Sequence, residues 1–353
     1  MFRHIVAVDW EQVRFKRALS GLVAILVALA FIGAVETVVL IVIMAALFNI
    51  AAANDGPMER RWRAMAQFSV FGAVAGGLAF WSIDNASGAA LVLGVVTYLA
   101  TLFAALGQRQ ARAGLFLTLW VVIAMIIGTT ETSPLIVSIA FIIGGGVAIA
   151  ITALRLRMSG EDPVDDSSVS VGEVDPDDVA PVGSVATRLK WASRTSIGAF
   201  AVVRALAVVV ATLVGFWLFP DYAFWASITV IIVVKPSASQ TATIAMERTL
   251  GTALGALVAV LAVQLFPGNQ VYAALGFALS AFFMVAFMNA NYTLFAAFLT
   301  STLVFALRMG QADAFDVGIE RVGATLAGAV ISLATVGVGR MLVVRSAGHA
   351  RQS

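Results

Sequence analysis

The chain predicts an all-α polytopic membrane protein of about twelve transmembrane helices, in two homologous six-helix halves with three-helix inverted repeats. Three observations carry that prediction. Hydrophobic residues make up 61% of the chain and charged residues 12%, with a mean hydropathy of +0.97, far outside the range of soluble domains. Apolar runs of roughly seventeen or more residues, the span a hydrocarbon core about 30 Å thick demands at 1.5 Å rise per residue, recur along both halves. Finally, Met246-Glu247-Arg248-Thr249-Leu250-Gly251-Thr252-Ala253-Leu254-Gly255 returns as Ile319-Glu320-Arg321-Val322-Gly323-Ala324-Thr325-Leu326-Ala327-Gly328, each copy opening a long apolar helix. Backbone in lipid must satisfy its own hydrogen bonds, so the apolar runs read as helices. A membrane β-barrel needs alternating segments of roughly ten residues, and blocks such as 205–219 do not alternate.

Taken in order, the first half gives spans at about 18–34, 37–53, 64–82, 89–106, 115–128 and 135–154, separated by turn formers such as Asn54-Asp55-Gly56-Pro57 and Asp84-Asn85-Ala86-Ser87-Gly88. Residues 1–20 carry Arg3, Asp9, Glu11, Arg14, Lys16 and Arg17 and show no small-x-small cleavage site, so the first span reads as a retained anchor. Residues 159–184 then carry eight acidic residues (Glu161, Asp162, Asp165, Asp166, Glu173, Asp175, Asp177 and Asp178). That stretch is too charged and too poor in apolar bulk to fold alone, and reads as a flexible linker. The second half gives spans at about 203–219, 225–234, 249–266, 271–288, 292–307 and 321–341. The run at 225–234 is too short to cross and stops at Lys235-Pro236, so it predicts a break or a tilted helix in a protein-lined setting. The organisation is therefore residues 1–158 as one membrane half, 159–195 as an acidic linker with an amphipathic lead-in, and 196–353 as the second half.

With twelve spans the N-terminus, the linker and the C-terminus fall on one side. Of the 22 Lys and Arg, all but Arg204, Arg308 and Arg321 belong to that side, which the positive-inside rule makes cytoplasmic. The sequence pI near 9.2 is thus topological, and no nucleic-acid partner is expected. There is no cysteine, and the only histidines are His4 and His349 at the termini, so no disulfide, thiolate chemistry, metal site or cofactor is expected. No Gly-x-x-x-x-Gly-Lys-Ser/Thr sequence occurs, and no nucleotide motor is expected.

Repetition appears at two levels. Between halves, Arg17-Ala18-Leu19 matches Arg204-Ala205-Leu206, and Gly72 and Gly76 match Gly251 and Gly255, with Phe68-Ser69 standing where Glu-Arg would align. Within the second half the Glu-Arg pairs precede the third and sixth spans. An odd number of spans inverts the second copy, an arrangement that places substrate sites at the repeat interface near the bilayer midplane.

The stretch Phe224-Trp225-Ala226-Ser227-Ile228-Thr229-Val230, followed by Lys235-Pro236-Ser237 and the Glu247–Gly255 motif, resembles the fusaric acid resistance protein-like family, bacterial relatives of aromatic acid exporters and of plant aluminium-activated malate channels. The resemblance is clear over about 203–342 and weaker before it. It implies efflux or conduction of organic, often aromatic, anions across the inner membrane, with arginines facing the pathway. The chain departs from larger members in lacking a sizeable cytoplasmic domain, which removes the basis for a mechanism relying on one.

Each candidate residue has a plainer alternative. Arg248 and Arg321 recur at equivalent positions, and a cation at membrane depth is costly enough to imply a role. As predicted span ends they also fit arginines that snorkel to headgroups. Helical neighbours point about 100° apart, so Glu247 and Arg248 are not expected to pair with each other, and a pairing across the repeat is expected instead. Lys235 beside Pro236 can attract a carboxylate or mark the cytoplasmic boundary. Trp225 and Phe224 can stack on an aromatic solute or belong to the interfacial belt. Asn289, with Asn291 and Tyr292 beside it, can line a site or make a tight turn. Glu247 and Glu320, with Glu36, Glu131 and Asp221, are the acids near the membrane that can carry a coupling proton. The glycines at 72, 76, 251 and 255 and the run 144–146 read as close-packing faces.

The reading is a non-enzymatic inner-membrane protein, N- and C-termini cytoplasmic, that exports a small organic anion without ATP and meets lipid and, in a homo-oligomer, copies of itself. A passive anion channel and a non-transporting scaffold are the alternatives. No catalytic carboxylate pair, serine triad or metal cluster is evident at membrane depth.

Overall fold

Apolar composition and the need for backbone self-satisfaction give a chain in which every described element is a helix. The computed structural model describes residues 8–10, 13, 37–52, 58–127, 133–159, 184–265, 270–288, 290–309 and 313–350. The expected span at 18–34, the linker residues 160–183, and Asn289, Glu36 and Glu131 lie outside these described residues. Seven described helices are long and apolar enough to cross a membrane: Arg61–Ser82, Ala86–Leu106, Gln108–Ile126, Pro134–Leu154, Ser196–Leu218, Ala238–Leu265 and Ala314–Val338. Ile41–Ile50, Val271–Phe287 and Tyr292–Arg308 are shorter apolar helices. The chain is a multi-pass membrane protein. It divides into two units, Ala34–Phe216 and Trp217–Ser353, the described N-terminal residues belonging with the second.

The first unit contains α1 (Thr37–Ala52), α2 (Met58–Ser82), α3 (Ala86–Leu102), α4 (Gln108–Ile127), α5 (Pro134–Ser159), α6 (Val185–Ala192) and most of α7 (Ser196–Leu218). Asn85 starts α3 by accepting from the N–H groups of Ser87 and Gly88, and a turn through Gly107, at φ +123°, separates it from α4. Such a φ is open to glycine at no steric cost. The core forms where α5 meets α1 and α2. Trp120, fully buried, donates through Nε1 to Gly72 O at 2.9 Å, and its ring lies 4.5 Å from that of Phe141. The glycines at 72 and 76 are required here: a Cβ on Gly72 would run into the Phe141 ring, and one on Gly76 would lie 2.8 Å from Trp120 Nε1. Gly144 and Gly145 are similarly pressed against α1 and Ser69, whereas a Cβ on Gly146 would meet nothing within 4 Å. The small-residue face at 144–146 is thus two residues wide. Helix α6 is the amphipathic lead-in, with Arg188 Nη2 donating to Ala105 O at 2.9 Å. On α7, Arg204 reaches Thr101 Oγ1 of α3 at 3.4 Å. This helix, read from sequence as the start of the second half, packs on α3, and the boundary between units falls near its C-terminal end.

The second unit is built from α8 (Trp225–Val233), α9 (Ala238–Leu265), α10 (Gln270–Phe287), α11 (Tyr292–Met309) and α12 (Ala314–Ala350). Its main packing pairs are α9 on α11, α10 on α11, α9 on α12 and α8 on α12. The rings of Phe283, Phe287 and Phe298 stack between α10 and α11 at 5.1–5.8 Å.

Candidate functional site

The site begins with a broken helix. Phe219-Pro220 leads through a 3-10 turn (Pro220–Tyr222) into α8, whose nine residues span about 13 Å, under half of a hydrocarbon core. It ends because Lys235 precedes Pro236, which disfavours helical ψ in its neighbour and offers no N–H. Val234 is already extended at ψ 114°. The freed backbone is taken up by Thr241, whose Oγ1 accepts from Lys235 N at 3.0 Å and faces the carbonyls of Ser237 and Lys235 at 3.0 and 3.2 Å. Seven of its nine residues, among them Trp225, Ser227, Thr229 and Ile231, are buried. The expected interruption is present, and it is enclosed by protein.

Two arginines are placed beside it. Helix α9 starts at Ala238 and α12 at Ala314, two to three turns before the apolar runs begin, because the Ser, Thr, Gln and Ala residues of 238–246 are compatible with helix. Arg248 and Arg321 therefore stand about 15 and 10 Å inside their helices rather than at the ends. This corrects the placement read from sequence, which put them at span boundaries on opposite faces. Arg248 is 0% and Arg321 1% exposed, so neither snorkels, and the two guanidiniums lie within electrostatic reach of each other and of Tyr292.

Small residues set this geometry. A Cβ on Gly251 or Gly255 would strike the α11 backbone at Thr293 or Ala297, and Ser301 Oγ donates to Gly255 O at 2.9 Å. A Cβ on Gly328 would fall 2.7 Å from both Ala226 O and Thr229 Cβ of α8. Helix α9 thus rests on α11 through Gly255 as α12 rests on α8 through its counterpart Gly328. Lys235 and Arg308 also precede Arg248 and Arg321 at equal separations along the chain.

The guanidinium of Arg321 lies over the Trp225 ring, 4.9 Å from its centroid, and Trp225 stacks on Tyr222 at 4.1 Å and 15°. Such contacts orient a cation without neutralising it. Among the described residues no nitrogen of Arg248 makes a hydrogen bond of good geometry, nor do Nε and Nη1 of Arg321, the hydroxyls of Tyr292, Thr252, Thr293, Thr300 and Thr325, or Oε2 of Glu320; the Tyr292 hydroxyl is a hydrogen-bonding neighbour of the Arg248 guanidinium. The expected cross-repeat hydrogen bond between Glu and Arg is absent at these atoms. The two glutamates flank the arginines: Glu247 is within reach of Tyr292, and Glu320 joins Asp221 and Asp316 around Tyr222. Burial, followed by Glu320, Asp221 and Asp316, pushes the Tyr222 phenol above its ordinary value.

Of the candidate residues, Arg248, Arg321 and Trp225 are brought together. Phe224 is buried at the N-terminal end of α8. Lys235 is half-buried at its other end, about 15 Å along the helix from Trp225. Asn289 is not described, and its neighbour Asn291 caps α11 by accepting from Leu294 N at 2.9 Å. Sequence reasoning passed over Thr252 and Thr325, one turn beyond each arginine, although both copies of the repeat carry them. It also passed over Tyr222.

Residues 206–335 match the family described as fusaric acid resistance protein-like. No curated protein and no solved structure matches the chain.

Proposed function

With residues 206–335 matching the fusaric acid resistance protein-like family, we propose that this protein is a transporter that exports a small organic, often aromatic, anion across the inner membrane without ATP. One observation carries the proposal: two guanidiniums, fully buried and within reach of each other, with N–H groups that find no acceptor among the described residues beyond the neighbouring Tyr292 hydroxyl. An uncompensated buried charge costs several kcal/mol, a cost normally met by a partner or by function. An oxyanion passing through provides both countercharge and acceptors. In this reading Trp225 and Phe224 supply apolar contact for a ring, Lys235 and Asn289 contribute further polar contacts, and Glu247 and Glu320 are the coupling acids.

The exchanged packing of α9 on α11 and α12 on α8 supports an inverted repeat that relates α8–α9 to α11–α12, within a proposed chain of about twelve spans with both termini cytoplasmic. Rocking of one copy of the repeat against the other then alternates access to the arginines. The test is uptake of radiolabelled benzoate into proteoliposomes by the full-length protein. Arg248→Gln and Arg321→Gln are each expected to lower flux ten-fold or more at normal protein level, and unchanged flux in both removes the arginines from the mechanism. Flux that saturates and needs a proton gradient supports a carrier, and non-saturating, gradient-independent flux supports a channel.

A further inference from the structure

The unpaired groups around Arg248 and Arg321 are not equivalent. The hydroxyls of Thr252, Thr293, Thr300 and Thr325 each belong to a helical residue, and a rotation about χ1 can return such a hydroxyl to a carbonyl one turn back, as Thr212 does to Val208 O at 2.8 Å. A phenol has no such retreat, because its oxygen is held too far from its own backbone. Tyr292 begins α11, where the Thr293 carbonyl meets Gly251 of α9, less than one turn beyond Arg248. Its ring is partly exposed and packs against Phe295 at 5.9 Å, while its hydroxyl oxygen is buried, with the Arg248 guanidinium as its hydrogen-bonding neighbour and no acceptor for its proton among the described residues. The charged groups facing that hydroxyl are Arg248 and Arg321, with Glu247 further along α9.

Guanidiniums only donate, and a hydroxyl whose neighbours are guanidiniums has its proton left to give. We propose that Tyr292 is a further substrate-binding and specificity-determining residue, its hydroxyl donating to the same oxyanion that the two arginines attract. Around that oxyanion the centre then presents donors and two positive charges, with Glu247 and Glu320 flanking the arginines. It accepts carboxylates, and it rejects zwitterions, whose ammonium beside the bound carboxylate would meet two like charges. This rests on the anion-transport reading above and deepens it.

The experiment uses full-length protein in detergent, with 3-phenylpropanoate and phenylalanine as probes. These differ only in the ammonium group. Isothermal titration is expected to detect 3-phenylpropanoate and not phenylalanine. Tyr292→Phe should weaken 3-phenylpropanoate binding about ten-fold, the range for a hydrogen bond to a charged group, without lowering the melting temperature of the ligand-free protein. Replacing Tyr292 by 3-fluorotyrosine, a stronger donor of nearly the same shape, should tighten it. Equal affinity in wild type and Tyr292→Phe, or no tightening with 3-fluorotyrosine, overturns the role of Tyr292, and equal binding of phenylalanine overturns the exclusion of zwitterions. Should wild type and both arginine variants alike bind neither probe and carry no benzoate, the transport reading itself falls, an outcome distinct from failure at Tyr292 alone.

Discussion

A buried arginine without a partner is a liability that folding alone would remove. Among the described residues no carboxylate pairs with the three side-chain nitrogens of Arg248, which is 0% exposed, so replacing it with an apolar side chain of similar length should stabilise the protein. Arg248→Met is expected to raise the melting temperature, with a gain of about 1–4 kcal/mol, while abolishing anion flux. A lower melting temperature would mean that the guanidinium stabilises the resting fold. Tyr222 yields a pH prediction of definite sign. Burial first, and then Glu320, Asp221 and Asp316, raise its phenol above 10.0, so the folded state holds the proton more tightly than the unfolded chain. The stability this gives is present below the unfolded value and is lost as pH rises through the folded one. The melting temperature should therefore fall as pH climbs past about 10, and Tyr222→Phe should flatten that fall.

At the scale of the helix, close approach rather than side-chain bulk determines which elements meet. Gly255 admits no Cβ without displacing the Ala297 backbone, and Gly146 has open space. Gly255→Ala should cost about 1–3 kcal/mol by overpacking. Gly146→Ala should gain up to about 1 kcal/mol from helix propensity. Thermal unfolding of the two variants compares them directly, and equal shifts would contradict the packing of α9 on α11. The elements themselves were largely legible: the break at Lys235-Pro236 and the start of α11 at Tyr292 follow from proline, asparagine and hydropathy. The starts of α9 and α12 were not. Hydropathy marks where a helix turns apolar, while Ser, Thr and Gln residues before Arg248, and Asp316 and Glu320 before Arg321, continue the same helices unmarked, so the arginines read as boundary residues and proved to be interior ones.

For the molecule as a whole, the two units solve the same packing problem with different chemistry. Where the second unit places Arg248, the first has Ser69, whose hydroxyl is within 2.9 Å of Asn49 Oδ1 and 2.7 Å of Met65 O, beside a core filled by Trp120 and Phe141. Around Ser69 the packing is neutral, and the Ser69 hydroxyl is satisfied. Ser69→Ala should cost about 1 kcal/mol of stability and leave benzoate flux unchanged; a flux loss matching that of Arg248→Gln would give the first unit a share in the pathway.

Composition alone determined the solvent of this protein, because only lipid accommodates so apolar a chain, and lipid permits only self-satisfied backbone. The recurring Glu-Arg motif identified the two arginines, and its return three predicted spans later gave the expectation that they pair across the repeat. What tertiary structure decided was depth and company: that both cations lie well inside their helices, that Trp225 and Tyr222 stack beside one of them, and that no carboxylate among the described residues hydrogen-bonds Arg248. A linear pattern specifies which face of a helix a residue occupies, but the distance between two such faces depends on how closely the glycines at 251, 255 and 328 let the backbones approach.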